Sequence, residues 1–202
     1  MADEKETPLA SAPTQELPAL ETLAQNDDPK FAAEQQRIEE LIDTDAPLHD
    51  ILSDLVLMIE AQSPEMLCSI LLLSNDGNHV RHAVAPSLAP DYVKAIDGSP
   101  IGPKHGSCGT AMFRGKPVIV TDIAADPLWD DYREYARMIE MAACWSTPIL
   151  SSKGKVLGSF AMYYREPRGP KPQEQRLTDV ATRLAARAIE HAVARERATS
   201  QT

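Results

Sequence analysis

Two segments of the chain each contain two strand-like runs joined by a short polar turn, and these segments constrain the fold most. The first has the continuous apolar run 67–73, the polar turn 74–78 and a second run at 79–85. The second has runs at 143–151 and 155–164. The Asn and Gly residues in the first turn tolerate the positive φ that tight turns need, so each segment predicts a β-hairpin.

Helical periodicity surrounds these hairpins on both sides. Helices are predicted at about 28–42 and 47–61, and the second has an apolar face broad enough to pack flat on a sheet. A long helix is predicted at about 173–198. Its narrow Ala-rich stripe favours close approach of another helix and predicts a homodimer through the terminal helices. The combination predicts an α+β domain.

Short elements are predicted between the two hairpins, in the region that also contains most of the small and aromatic motif residues. The pattern predicts helices at 90–96, 106–114 and 131–139, and a strand at 117–121. Residues at the edges of such short elements usually build cavity walls, so this region predicts a pocket.

Charge and composition exclude several classes of partner. The chain has 30 acidic and 20 basic side chains and a net charge of -10, which disfavours nucleic acid and anionic membrane surfaces. It has no signal-peptide pattern and no apolar run long enough to span a membrane, so we expect a cytoplasmic location. Residues 1–28 and 197–202 are expected to be disordered ends around a domain at 29–196.

The cysteines are expected to be reduced, and two of them have alternative interpretations. Cys108 begins a predicted helix, where backbone N–H groups favour a thiolate nucleophile, but it also suits tight helix-to-sheet packing. Cys144 lies in a strand; facing inward it forms a redox pair with Cys108, and otherwise it is a small buried hydrophobe. Cys68 is expected in the core, and the spacing of the three matches no zinc site.

Aromatic residues are concentrated in the second half of the chain. Seven of the ten lie between Trp129 and Tyr164, six of them Trp or Tyr, which favours a lined cavity, although ordinary core packing is the alternative. His105 lies three residues before Cys108 and could be a base or a metal ligand. The simpler expectation is a solvent-exposed loop histidine.

Several short motifs resemble those of GAF domains, and the resemblance covers roughly residues 30–195. It is closest to the GAF modules that accompany bacterial histidine kinases and diguanylate cyclases. The motifs are 101–111 (IGPKHGSCGTA), 117–123 (PVIVTDI), 126–129 (DPLW), 143–149 (ACWSTPI), 158–164 (GSFAMYY) and 166–168 (EPR).

The resemblance implies a PAS-like central antiparallel sheet. The N- and C-terminal helices would cover one face, and a ligand pocket would lie under short helices on the other. It also implies a non-enzymatic sensor of a small molecule or anion that signals through its terminal helices, with a histidine kinase or diguanylate cyclase as partner. The pocket residues it implies are Ser107, Cys108, Gly109, Thr110, Trp129, Tyr132, Cys144, Trp145 and Ser146.

Reactive and cofactor-binding GAF subfamilies make demands that this chain meets only in part. Free methionine-R-sulfoxide reductases are similar around Cys108, which makes a thiol-dependent reductase using Cys108 and Cys144 the alternative function, but their second motif is missing at 142–148. No cysteine is followed by the histidine that bilin-binding members use. Only His105 is placed to be a haem ligand, and backbone N–H groups of 106–109 could hold an anion. The ligand and any cofactor stay open.

Overall fold

A computed structural model describes residues 28–200 of the chain. The expected N-terminal tail at 1–27 and residues 201–202 lie outside the described residues. The elements are α1 (Pro29–Asp43), α2 (Leu48–Glu60), β1 (Leu67–Leu73), β2 (Val80–Val84), α3 (Pro90–Ile96), α4 (Gly106–Arg114), β3 (Val118–Val120), a 3-10 turn (Pro127–Trp129), α5 (Arg133–Met138), β4 (Ala143–Leu150), β5 (Val156–Tyr164) and α6 (Pro172–Thr199).

One antiparallel sheet of five strands has the order β2-β1-β5-β4-β3. Both predicted hairpins form, and the long-range pairing of β1 with β5 joins them. Gly158 permits this pairing, since a Cβ atom at Gly158 would lie 2.2 Å from the carbonyl oxygen of Leu71. The α+β, PAS-like prediction is confirmed.

The terminal helices α1, α2 and α6 cover one face of the sheet. Even-numbered residues of β1 and β5 and odd-numbered residues of β4 face these helices, because successive strand side chains point to opposite faces. Each of the three helices contributes its apolar stripe to this core. Its largest fully buried members include Ile38, Ile42, Leu52, Leu55, Ile59, Ile70, Ile149, Phe160 and Tyr164.

The short elements α3, α4, α5 and the 3-10 turn cover the opposite face and form a second core. A bulge between Ile70 and Leu71 changes the register of β2, so Val84 packs in the first core while Val80 packs in the second. The second core is built from loops and short helices rather than from long helices. That arrangement leaves room for a cavity between its parts.

Some boundaries differ from those predicted. The region expected to be helical from 131 becomes helical only at Arg133, and the short helix ends at Met138 because Glu140 has a positive φ of 55°. The final helix continues to Thr199, three residues past the expected domain end at 196.

A buried ionic cluster fixes the start of α6 to the end of β5. The Glu174 carboxylate accepts hydrogen bonds from the Arg168 guanidinium at 2.8 and 2.9 Å, from the Tyr164 hydroxyl at 2.9 Å and from the Lys171 backbone N–H at 2.6 Å. The Arg168 guanidinium also stacks over Tyr164 and Trp145, 4.3 and 5.2 Å from their ring centroids. Three groups donate four hydrogen bonds to one carboxylate, so this cluster fixes the first turn of α6 to the end of β5.

Candidate functional site

A cavity lies in the second core, on the sheet face opposite the terminal helices. The volume open to the centre of a water molecule is about 40 Å³. This is enough room for a few waters or a compact ligand. Within the described residues, no Asp, Glu, Lys or Arg lines it. The lining residues are Leu71, Val80, Tyr92, Ile96, Ser99, Pro100, His105, Gly106, Ser107, Cys108, Gly109, Trp129, Tyr132 and Tyr135.

Ser107 is the polar centre of the cavity wall. Its Oγ accepts a hydrogen bond from the Trp129 indole N–H at 3.0 Å and donates one to the backbone carbonyl of Cys144, also at 3.0 Å. Ser107 is 1% exposed and Trp129 is 4% exposed. The two bonds therefore fix the indole ring as a wall and tie the first turn of α4 to β4.

The glycines around Ser107 are needed for close packing. Gly106 has a φ of 58°, in the left-handed region where other residues are strained. A Cβ atom at Gly109 would lie 3.3 Å from the backbone oxygen of Pro100 and 3.0 Å from the Cβ of His105. The small residues of this motif thus allow the loop before α4 to lie directly on the helix.

Cys108 is a half-buried thiol at the boundary between the cavity and a set of polar groups on the sheet. Its Sγ lies 3.7 Å from the Tyr163 hydroxyl, and that hydroxyl is hydrogen-bonded to Ser69 at 3.0 Å. The hydroxyl oxygens of Ser146 and Ser159 are buried nearby and have no hydrogen-bond partner. This set of polar groups is unusual on the inner face of a sheet.

The surroundings of Cys108 favour its thiolate form. A hydrogen bond from the Cys144 thiol lowers the pKa of Cys108 to about 7. Burial of Cys108 opposes this shift, and the hydroxyls of Ser146, Tyr163 and Ser159 reinforce it. Burial raises the pKa of Cys144, and the adjacent Cys108 raises it further. The two thiols are therefore unequal: one ionises near neutral pH, and the other keeps its proton.

His105 packs at the cavity, although an exposed loop histidine was the simpler expectation from the sequence. Its ring lies over Gly102, where an added Cβ would be 2.5 Å from the ring Nδ1. The Nδ1 atom is buried and has no hydrogen-bond partner. His105 is thus the only basic residue in the described lining.

Comparison with known families places this fold and cavity in a defined group. Residues 46–190 match the model of a GAF domain family. The chain belongs to the GAF domain family.

One relative of this GAF domain is the methyl sulfide methyltransferase-associated sensor of Methanosarcina acetivorans. The two are 39% identical over 157 residues, which is 78% of this chain. The chain spans only 16% of the length of that sensor. The match therefore concerns one domain of a much larger protein.

Solved structures share the fold at low sequence identity. The GAF domain of a phosphoenolpyruvate-protein phosphotransferase from Coxiella burnetii has a TM-score of 0.66 at 18% identity, covering 83% of this chain and 96% of that one. A free methionine-R-sulfoxide reductase from Neisseria meningitidis, in complex with its substrate, has a TM-score of 0.60 at 15% identity, covering 80% and 89%. A phosphotransferase GAF domain and a reductase thus share the fold of this chain.

The structure brings together most of the residues expected at the pocket. Ser107, Cys108, Gly109, Trp129 and Tyr132 line the cavity. Three more of the expected residues lie next to it. The Thr110 hydroxyl accepts a hydrogen bond from the His105 backbone N–H at 3.0 Å, and Cys144 and Ser146 lie on the sheet near Cys108.

Trp145 requires a correction, because its side chain lies on the opposite face of the sheet. It packs in the first core against Tyr164, with ring centroids 4.7 Å apart, and its indole N–H donates to the Arg168 carbonyl at 3.1 Å. Strand alternation explains this placement: Cys144 and Ser146 face the cavity side, so Trp145 between them faces the helices.

Sequence reasoning missed several residues at the cavity that come from distant parts of the chain. Tyr92 from α3 and Leu71 from β1 line the cavity, and Ser159 from β5 lies on the sheet beneath it, on the same face as Tyr163. The alternation of β5 could have placed Ser159 and Tyr163 on one face. No local pattern indicates that α3 folds over that face.

Two further structural findings concern metal binding and membrane-spanning helices within residues 28–200. No group of three or more His, Cys, Asp or Glu side chains is arranged there to hold a metal ion. In the same range, no helix combines the length and the apolar character that crossing a membrane requires.

Proposed function

We propose that this GAF domain is a sensor module that binds a small uncharged molecule in the cavity under α4 and transmits binding to its terminal helices. The observation that carries the proposal is the cavity lining, which is aromatic and aliphatic with a few polar groups and, within the described residues, contains no Asp, Glu, Lys or Arg. Such a lining suits a neutral ligand, because burying an unpaired charge there would be costly.

Strand β4 offers a direct route from the cavity to the helices. Cys144 lies on the cavity side of the sheet, while its neighbour Trp145 packs on the helix side and contacts Arg168. Arg168 in turn binds Glu174 in the first turn of α6. A ligand that moves β4 shifts the domain between two packings of α6 only if it binds these two packings with different affinity.

The terminal helices that would receive this signal are joined by ion pairs. Arg37 of α1 contacts Asp54 of α2 at 2.8 Å, Arg183 of α6 contacts Glu39 of α1 at 3.5 Å, and Arg187 of α6 also contacts Asp43 of α1. Exposed pairs of this kind are individually weak. They suit a helical layer that shifts between alternative packings. The Ala-rich stripe that predicted a homodimer is itself buried in the first core, at Ala181, Ala185 and Ala188, so a homodimer through the terminal helices would use their outer faces.

A cytoplasmic signalling context fits this proposal. One structural neighbour is a domain of a two-component sensor histidine kinase protein from Sinorhizobium meliloti, and the Methanosarcina relative is named a sensor. A histidine kinase or diguanylate cyclase is therefore the class of partner we propose. The module itself would not be an enzyme.

The reductase alternative is less well supported by the cavity. Free methionine sulfoxide carries an ammonium and a carboxylate group, and both need charged or strongly polar partners when buried. Within the described residues the lining has only His105 as an ionisable cation and no carboxylate. The thiol pair favours redox chemistry, but this cavity is poorly suited to that zwitterionic substrate.

A thermal-shift screen tests the sensor function. Two panels of small compounds, one uncharged and one charged, would be compared on the purified protein; ligand binding raises the melting temperature by mass action. We expect stabilisation by at least one uncharged compound. Stabilisation by charged compounds alone, or by no compound in either panel, would contradict the proposal.

Val80→Ile and Val84→Ile provide a matched pair of variants. Both add one methylene to a buried valine of β2, but Val80 lines the cavity and Val84 packs in the first core. We expect Val80→Ile to reduce the ligand-induced shift severalfold while Val84→Ile leaves it unchanged. An equal shift in both variants would place the ligand elsewhere.

A further inference from the structure

We infer that Cys108 and Cys144 form a reversible intramolecular disulfide when a small hydroperoxide enters the cavity. This inference deepens the proposed sensing function, since it names an oxidant as a signal at the same cavity. Disulfide formation itself does not require that any other ligand binds.

The fold holds the two cysteines against each other from different elements. The Ser107 hydroxyl donates to the Cys144 carbonyl at 3.0 Å, which sets the first turn of α4 directly on β4. Tyr163 pairs with Cys144 across β4 and β5, and the Tyr163 hydroxyl lies 3.7 Å from the Cys108 sulfur. Cys144 belongs to the second core and Cys108 packs against that core, so both side chains lie on the cavity side of the sheet.

The two thiols differ in access as well as in acidity. Cys108 is partly exposed and lines the cavity, so a molecule as small as hydrogen peroxide can reach its sulfur. Cys144 is fully buried behind it and keeps its proton. The arrangement gives an attacking thiolate at the cavity and a protected second thiol to resolve the product.

The chemistry balances in two steps. The Cys108 thiolate attacks one peroxide oxygen; a sulfur–oxygen bond forms, the oxygen–oxygen bond breaks, and the leaving hydroxide or alkoxide takes a proton. Cys108 is now a sulfenic acid, oxidised by two electrons, and the peroxide is reduced. The Cys144 sulfur then attacks the Cys108 sulfur, and the thiol proton leaves with the hydroxyl as water. A disulfide remains, which an added dithiol reduces.

The unpartnered hydroxyls of Ser146 and Ser159 give this site a second feature suited to the reaction. Both oxygens are buried, lack a hydrogen-bond partner and lie near the Cys108 sulfur. They can donate to the thiolate or to the oxygen transferred from the peroxide, which accounts for two buried polar groups that otherwise have no role.

The test uses the reduced full chain, stoichiometric hydrogen peroxide at neutral pH, intact mass and non-reducing peptide mapping. We expect the monomer to lose two hydrogen atoms, the free thiols after denaturation to fall from three to one, and a cross-link between the peptides of Cys108 and Cys144. Sulfinic or sulfonic acid at Cys108 without a cross-link, a disulfide to Cys68 or a disulfide between chains would each overturn the inference.

Single substitutions separate the two roles and supply a control. Cys108→Ser should abolish oxidation of the remaining thiols, Cys144→Ser should accumulate a sulfenic acid that dimedone traps, and Cys68→Ala should form the disulfide at the wild-type rate. Equal thiol loss in Cys108→Ser would contradict the assignment. Because the cross-link is mapped in wild-type protein without added ligand, the result is independent of the thermal-shift screen and of how well the variants fold.

Discussion

Replacement of Ser107 by alanine tests whether this residue fixes the cavity wall. The substitution removes two hydrogen bonds and leaves the buried Trp129 N–H without an acceptor. An unsatisfied buried donor costs about 1–3 kcal/mol, and loss of the bond to the Cys144 carbonyl adds about 1 kcal/mol. We therefore expect Ser107→Ala to lower the free energy of unfolding by about 2–4 kcal/mol.

A double-mutant cycle with Trp129→Phe isolates the shared bond. In the Trp129→Phe background no indole donor is left unsatisfied, so Ser107→Ala should cost about 1–2 kcal/mol less than it does in the wild type. Urea unfolding followed by far-UV circular dichroism measures all four proteins without depending on tryptophan fluorescence. Additive effects, or a loss below about 0.5 kcal/mol for Ser107→Ala, would refute this account of the wall.

Three other substitutions or measurements follow from specific contacts. Gly158→Ala should prevent β1 from pairing with β5 and yield little soluble protein. Gly154 has a φ of 75° and no atoms near its Cβ position, so Gly154→Ala should lower the free energy of unfolding by only about 1 kcal/mol in the same expression and unfolding assays. Similar yields of the two variants would contradict this. Arg168→Lys should lose the stack over the Trp145 and Tyr164 rings and the contact with both oxygens of Glu174, which should lower the free energy of unfolding in urea by about 1–2 kcal/mol. An unchanged urea midpoint would contradict the role of this cluster in fixing α6. Alkylation of Cys108 by iodoacetamide should reach half its maximal rate near pH 7, while buried Cys68, whose pKa burial raises, should stay unreactive in the folded protein; a midpoint near that of an ordinary thiol would contradict the thiolate assignment.

The Cys108 thiolate also predicts the sign of a pH effect on stability. Its pKa in the folded protein, about 7, is below the usual value of a free thiol. A depressed folded-state pKa contributes stability above the unfolded pKa, and that contribution is lost as pH falls through about 7. Wild-type protein should therefore gain stability relative to Cys108→Ser between pH 7 and 9, and an opposite trend in urea midpoints would contradict this.

Local pattern predicted the elements well because hairpins and amphipathic helices are determined by nearby residues. The apolar run of β1 and the Asn- and Gly-containing turn after it indicated a hairpin without any tertiary information. The pairing of β1 with β5 was different, since it joins residues about ninety positions apart, such as Cys68 and Met162. It depends on the close approach at Gly158, which no local pattern specifies.

The candidate site was predicted only in part, because it combines a local motif with residues that reach it through tertiary packing. The motif around Cys108 indicated a pocket, but both Cys144 and Trp145 were expected in it although strand alternation puts neighbouring residues on opposite faces. The strand pattern alone did not say which face carried the helices. His105 was assigned to the surface because its position depends on the space over Gly102. Tyr92 was missed because α3 reaches the cavity only through tertiary packing.

The central claim is that the cavity and the terminal helices are coupled through β4. Amide hydrogen exchange of α6, measured by mass spectrometry with and without the uncharged compound that gives the largest thermal shift, tests it most directly. The account predicts changed exchange in the first turns of α6, around Glu174, as well as in α4 and β4. Changes confined to the cavity elements, with α6 unaffected at saturating compound, would contradict it.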